Sequence, residues 1–167
     1  MKYKIKKANK YSCPPLPLLS LGKKTFTWKV TFDESCIYQL GNQTDIQKLC
    51  GIGWLPGHHI NSARFGWRWI PEKNQVELLA YCYDKGVRLS SAAAEHSIRF
   101  VDLNKEYLLR LVISDIDYYF TVTDGKIMGD RVVPKTYKTP WLGFYLRPYF
   151  EADGAIGTPH DMTFTIQ

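Results

Sequence analysis

The chain has 167 residues and a mass of 19.3 kDa, enough for one domain that fills its own core without metal or disulfide support. Hydrophobic residues make up 45% and aromatics 14%, which excludes a disordered chain, and no run approaches the about 18 apolar residues of a membrane-spanning helix. The net charge of +6 is uneven: residues 1–32 hold eight lysines and no acid, whereas the remainder holds 14 basic and 16 acidic residues.

The basicity therefore belongs to residues 1–24, which read as a basic, Pro-rich arm or an edge strand, ahead of a domain over 25–167. The arm carries Lys2, Lys4, Lys6, Lys7 and Lys10, then CPPLPLLSL. As an arm it would reach onto a neighbouring protein subunit, with contact to nucleic acid ranked lower. As an edge strand its lysines would discourage strand-to-strand aggregation. The stretch imitates a signal peptide, but its apolar part is short, is broken by Pro14, Pro15 and Pro17, and lacks a small-x-small cleavage site. The expectation is a protein made in the cytoplasm without a signal peptide and without a membrane partner.

From residue 25 onward the pattern has a period of two. In TFTWKVTF, Phe26, Trp28, Val30 and Phe32 share one face, and threonines and Lys29 the other. SARFGWRW places Ala63, Phe65, Trp67 and Trp69 on one side and Arg64 and Arg68 on the other. Joined through IPEKNQ to VELLAYCYD, it predicts a long antiparallel hairpin. HSIRFVDL, EYLLRLVISD, DYYFTVTD, KIMGDRVV, TPWLGFYLRPYF and DMTFTIQ continue the series, with turns at Asn104-Lys105 and Asp124-Gly125. Only SSAAAEHS offers a turn of helix. YLLRLVI is apolar on both sides, which implies a partly covered outer face.

About ten strands with Gly, Pro, Asn and Asp connections imply an all-β, antiparallel β-sandwich of jelly-roll type with an extended basic N-terminal arm. Cys13, Cys36, Cys50 and Cys82 share no C-x-x-C spacing and read as free thiols.

The densest cluster of chemistry is HHINSARFGWRW, His58 to Trp69. Adjacent histidines on a strand point to opposite faces, and no H-x-H or H-E-x-x-H spacing is present, so neither a metal nor a cofactor is expected. RFGWRW reads as a core strand on one face and an arginine-bearing surface on the other, with Glu77 or Asp84 as cross-strand partners. Gly66 between the arginines permits a close approach. HHIN is the loop that enters the strand.

The succession of long strands, with a closing strand returning to pair near the N-terminal one, resembles a concanavalin-like jelly roll over most of residues 25–167. That resemblance implies a lectin-like option. Exposed aromatics would stack sugar rings, the candidates being Trp54, Trp141, Tyr145 and Tyr149, with His58, His59 and Asn61 nearby. Several jelly-roll polysaccharide lyases use Arg, His, Gln and Tyr on a concave sheet, and Arg64, Arg68, His58 or His59, Tyr81 and Tyr83 are the matching residue types. Their R-x-E-L-R, Q-I-H and Y-x-K-x-G segments are absent here, and no catalytic residue is assigned.

Three functions are thus expected in descending order. First comes a non-enzymatic structural or decorating subunit of a larger assembly such as a virion, contacting partners through Lys2, Lys4, Lys6, Lys7, Lys10, Arg64 and Arg68. A carbohydrate-binding module is second and a lyase-like enzyme third.

Overall fold

The computed structural model describes residues 1–12, 18–40, 45–89, 96–151 and 157–167. Thirteen strands build it: β1 (Lys2–Ile5), β2 (Leu19–Leu21), β3 (Thr25–Phe32), β4 (Gln47–Trp54), β5 (Asn61–Ile70), β6 (Gln75–Asp84), β7 (Val87–Arg88), β8 (Ser97–Val101), β9 (Tyr107–Ile113), β10 (Asp117–Thr123), β11 (Met128–Pro134), β12 (Leu142–Leu146) and β13 (Met162–Ile166). Short 3₁₀ turns stand at Glu34–Cys36 and Pro71–Lys73, and His96 is also in 3₁₀ conformation. The first sheet runs β1-β13-β3-β9-β10-β11 and the second β2-β12-β4-β5-β6-β7, with β8 also on β6. All pairings are antiparallel. This is the expected β-sandwich, and the closing strand β13 does return beside the N-terminal β1 and β3.

The alternation in β3 converts directly into burial: Phe26, Trp28, Val30 and Phe32 are buried between the sheets. β5 answers from the second sheet with Phe65, Trp67 and Trp69, so that Trp28 meets Phe65 edge-on and Phe32 packs on Trp67. The β5–β6 hairpin keeps register from Ser62↔Tyr83 to Ile70↔Gln75 and turns over the Pro71–Lys73 segment, with Asn74 at φ 53. Asparagine tolerates that left-handed backbone better than most residues. Asn104 does the same at φ 58, where the chain crosses from β8 in the second sheet to β9 in the first.

Lys2–Ile5 forms an edge strand of the first sheet, paired with β13. Leu19–Leu21 is likewise the edge of the second sheet. Cys13 and most of SSAAAEHS lie outside the described residues, whereas Cys36, Cys50 and Cys82 are buried free thiols. The covered outer face expected for YLLRLVI is elsewhere. Leu108 of β9 is exposed, whereas Leu79 and Tyr81 on the outer side of β6 are buried.

Candidate functional site

The outer face of the second sheet collects the residues that matter. Along β5 it presents Ser62, Arg64, Gly66 and Arg68; the paired positions on β6 are Tyr83, Tyr81, Leu79 and Glu77. On β4 it presents Lys48, Gly51 and Gly53, opposite Gly66, Arg64 and Ser62. A β-bulge between Lys48 and Cys50 lets Lys48 stay outside while Cys50, Ile52 and Trp54 turn inward.

Arg64 lies at the centre. Its residue exposure is only 6%, against the surface position expected for it, because phenols, Lys48 and the His58 loop stand around it. Gly51 makes the room: a Cβ there would lie 2.4 Å from Arg64 Cα and Cβ. The guanidinium has no carboxylate within ion-pair distance among the described residues, and its Nε is buried without a hydrogen-bond partner. Its main electrostatic neighbours are Tyr81, Tyr83, Cys82 and Cys50. Burial pushes its pKa down to about 10, so it remains charged at neutral pH. A buried cation without a counter-charge costs several kcal/mol by rough estimate, so the position favours an anion.

Further cations flank it. Lys48 Nζ lies 5.5 Å from the Tyr81 ring centroid and 5.6 Å from that of Tyr149, and burial lowers its pKa. The Arg88 guanidinium stands 6.0 Å over Tyr81. Burial alone would raise the Tyr81 phenol, but Lys48, Tyr83 and Arg88 outweigh it and hold the phenol below its usual value. Tyr83, 5.9 Å from Tyr81, is raised to about 12 by burial and by its neighbour. His59 packs on Tyr83 at 5.3 Å and His58 on His59 at 4.2 Å. Burial, then Arg64, brings His58 down to about 4, so it is neutral at pH 7. Ser62 Oγ donates to the His58 carbonyl at 2.7 Å and fixes the loop.

The candidate residues divide as follows. His58, His59, Arg64 and Tyr149 come to this face. Arg68 is on it too, but is paired with Glu77 at 2.7 Å, as one expected cross-strand pairing has it. Asp84, the other expected partner, faces inward and accepts the Thr136 N–H at 2.7 Å. Trp54 is not an exposed platform: it is buried and stacked 6.2 Å from Tyr118, because the bulge reverses its side of the strand. Tyr145 also points inward, edge-on to Phe26. Asn61 Oδ1 caps the next turn by accepting the Lys85 N–H at 3.0 Å. Trp141 is exposed, but over Gly22 at the β2 edge.

Of the N-terminal lysines, Lys4 pairs with Asp161, and Lys7 contacts the same carboxylate through its backbone N–H. Lys2 lies on β1 and Lys6 in the exposed turn that follows. Lys10 alone approaches the site, paired with Glu151 at 2.5 Å beside Tyr149. Lys48 and Arg88 are the site residues sequence reasoning missed. The G-x-G of β4, two outer positions without a side chain on the strand beside Arg64, is a sequence signal for the room around that arginine but not for Lys48 or Arg88. No group of three or more His, Cys, Asp or Glu placed to hold a metal is found among the described residues.

No protein-family profile matches the chain, and no curated protein matches it by sequence. Solved structures do. A functionally unknown protein from Saccharomyces cerevisiae is 13% identical, with a TM-score of 0.53 over 99% of this chain and 86% of that one. The alginate lyase from Klebsiella pneumoniae is 11% identical, with a TM-score of 0.57 over 87% of this chain and 58% of the lyase. At such identities the likeness shows the fold alone, a jelly-roll β-sandwich, and no family motif accompanies it. Neither structure lends support to a virion role.

Proposed function

We propose that the chain is a carbohydrate-binding protein that holds an acidic saccharide, bearing carboxylate or sulfate groups, on the outer face of its second sheet. One observation carries this reading: the buried, uncompensated guanidinium of Arg64. Lys48 and Arg88 extend the positive field on either side of Tyr81, and the rings of Tyr83, Tyr149 and His59 supply the flat surfaces on which sugar rings stack. Of the two carboxylates that act on Lys48, Glu151 is occupied by Lys10, and Asp45 has the smaller influence. The alginate lyase of like fold acts on an acidic polysaccharide, which agrees with this choice over the assembly subunit that ranked first from sequence.

The test is calorimetric titration with uronic-acid-containing and sulfated oligosaccharides beside neutral ones of equal length. Binding to the acidic set that weakens with salt and disappears in Arg64→Met is expected. Equal binding of neutral sugars, or unchanged binding by Arg64→Met, overturns the reading.

A second reading, cleavage of the same polymer, is favoured by the lowered Tyr81 phenol directly across the ladder from Arg64. A phenolate would take the proton α to a uronate carboxylate held by Arg64. The glycosidic C–O bond would then break as the ring C=C forms, and the leaving oxygen would take up a proton. Release of ultraviolet-absorbing unsaturated sugars that stops in Tyr81→Phe is its measure; none from any bound acidic polymer removes it.

A further inference from the structure

The two sheets have unequal edges. β1 carries Lys2 and Lys4, both exposed. β11 carries Asp130, Arg131 and Pro134, and Arg131 Nη2 donates to the Ser97 carbonyl of β8 at 2.9 Å, closing that side of the sandwich. β7 ends in Arg88. These are the usual guards against edge pairing. β2 has none: it reads Leu-Ser-Leu, with Leu19 61% and Leu21 56% exposed, next to Leu18 at 60%.

Its backbone is open as well. Leu18 accepts from Tyr145 N–H and Gly22 donates to the Trp141 carbonyl, so the even-numbered residues turn their polar groups toward β12. By alternation, the N–H and C=O of Leu19 and Leu21 face outward. No hydrogen bond from them in that direction exists among the described residues.

We infer that β2 pairs antiparallel with β2 of a second copy of this chain, joining two outer faces into one continuous surface. Resting on the reading above, this makes the protein a bivalent binder of acidic polymer. Self-complementarity selects a second copy over a foreign strand. A two-fold axis through Ser20 sets Leu19 against the partner copy's Leu21 and satisfies the open groups of both chains. Lys23 and Lys24, next along each chain, then stand at opposite ends of the pair, so no like charges meet. The exposed Trp141, lying over Gly22, falls opposite the second copy's Leu18 and gains a cover. The axis is perpendicular to the sheet, so both Arg64 sites look the same way. With β2-β12-β4-β5 as the path in each copy, they are separated by seven strand spacings, about 33 Å along the sheet. The pairing closes on itself and leaves no β2 edge for further growth.

The experiment is sedimentation equilibrium of the full chain up to about 100 µM, since a short interface gives a weak dimer. It uses wild type, Leu21→Pro, and the double variant Leu19→Lys with Leu21→Lys. Proline removes only the outward N–H, which the fold does not use. The lysine pair places like charges against each other across the axis and leaves every backbone group intact. A species of twice 19.3 kDa in wild type and monomers in both variants are expected. With acidic polymer the variants should lose at least about tenfold in apparent affinity, while a short acidic oligosaccharide binds all three equally. A monomeric wild type, or dimers in both variants, overturns the inference. A dimer that binds no acidic sugar overturns the proposed function and leaves the pairing standing.

Discussion

Gly51 of β4 lies directly across the ladder from Arg64 of β5, and there is no space at it for even a methyl group. Its missing side chain lets the arginine stem rise from the sheet floor toward Lys48, Tyr81 and the His58 loop. The atoms a Cβ would strike include the Ala63 carbonyl oxygen at 2.3 Å, which is backbone and cannot swing aside. Gly51→Ala should therefore cost about 1–3 kcal/mol of stability, as overpacking does, and weaken binding of the acidic ligand. Gly57→Ala is the control, because nothing lies within 4 Å of a Cβ there. Urea denaturation of the two variants checks the contrast. Equal effects would mean that Gly51 is not there for Arg64.

The fold was legible because inside and outside alternate faithfully in most strands. Phe26 to Phe32 in β3, Ala63 to Trp69 in β5 and Met162 to Ile166 in β13 all went where their period put them. The site was legible only in part. Alternation gives the side of a strand but not what stands over it, so Arg64 read as a surface residue when neighbours from three other segments bury it. Trp54 was hidden in another way, because no strand is read from the sequence over Gln47–Trp54, where the alternation is broken. A bulge inserts one residue, reverses the parity of everything after it, and leaves no clear mark in the sequence. Lys48 and Arg88 are far from HHIN in the chain and reach the site only through the β4–β5 and β6–β7 registers.

The two candidate tryptophans should behave oppositely. Trp54 is 2% exposed and packs on Tyr118 and Tyr137. Trp54→Ala should cost about 3–5 kcal/mol through lost burial and the cavity left behind. Trp141 is 69% exposed, and Trp141→Ala should change monomer stability by less than about 1 kcal/mol. Thermal unfolding at low protein concentration, where dimers are absent, measures both. A small loss at Trp54 would contradict its place in the core.

His58 predicts a pH dependence. Its imidazole titrates near 4 in the fold, below the usual 6.5, because burial and the Arg64 charge, then His59 and Lys48, oppose the protonated form. Between those values the unfolded chain binds a proton that the folded chain does not, so unfolding is favoured as the pH falls. The contribution is fully present above about pH 6.5 and is lost as the pH drops toward about 4. Carboxylates titrate in the lower part of that window too, so the informative quantity is the difference between wild type and His58→Asn. Denaturation midpoints at about pH 7 and about pH 4.5 should fall less in the variant. Parallel pH profiles would show that His58 titrates normally.

Arg64 separates a residue kept for its ligand from one kept for the fold. Were it structural, it would have a carboxylate partner, and removing it would strand that partner. Among the described residues it has none, and its Nε is buried without a hydrogen bond. Arg64→Met retains most of the packing volume and removes the uncompensated charge. The unliganded variant should then be as stable as wild type or more stable, by about 1–3 kcal/mol. Binding of the acidic oligosaccharide should be lost. Arg64→Lys keeps the charge but not the planar fork, so binding should weaken about tenfold or more without that gain in stability. Denaturant unfolding and calorimetric titration of the three proteins give both readouts. A Met variant several kcal/mol less stable than wild type would show that Arg64 holds the sheet together, and the acidic-ligand reading would lose its main support.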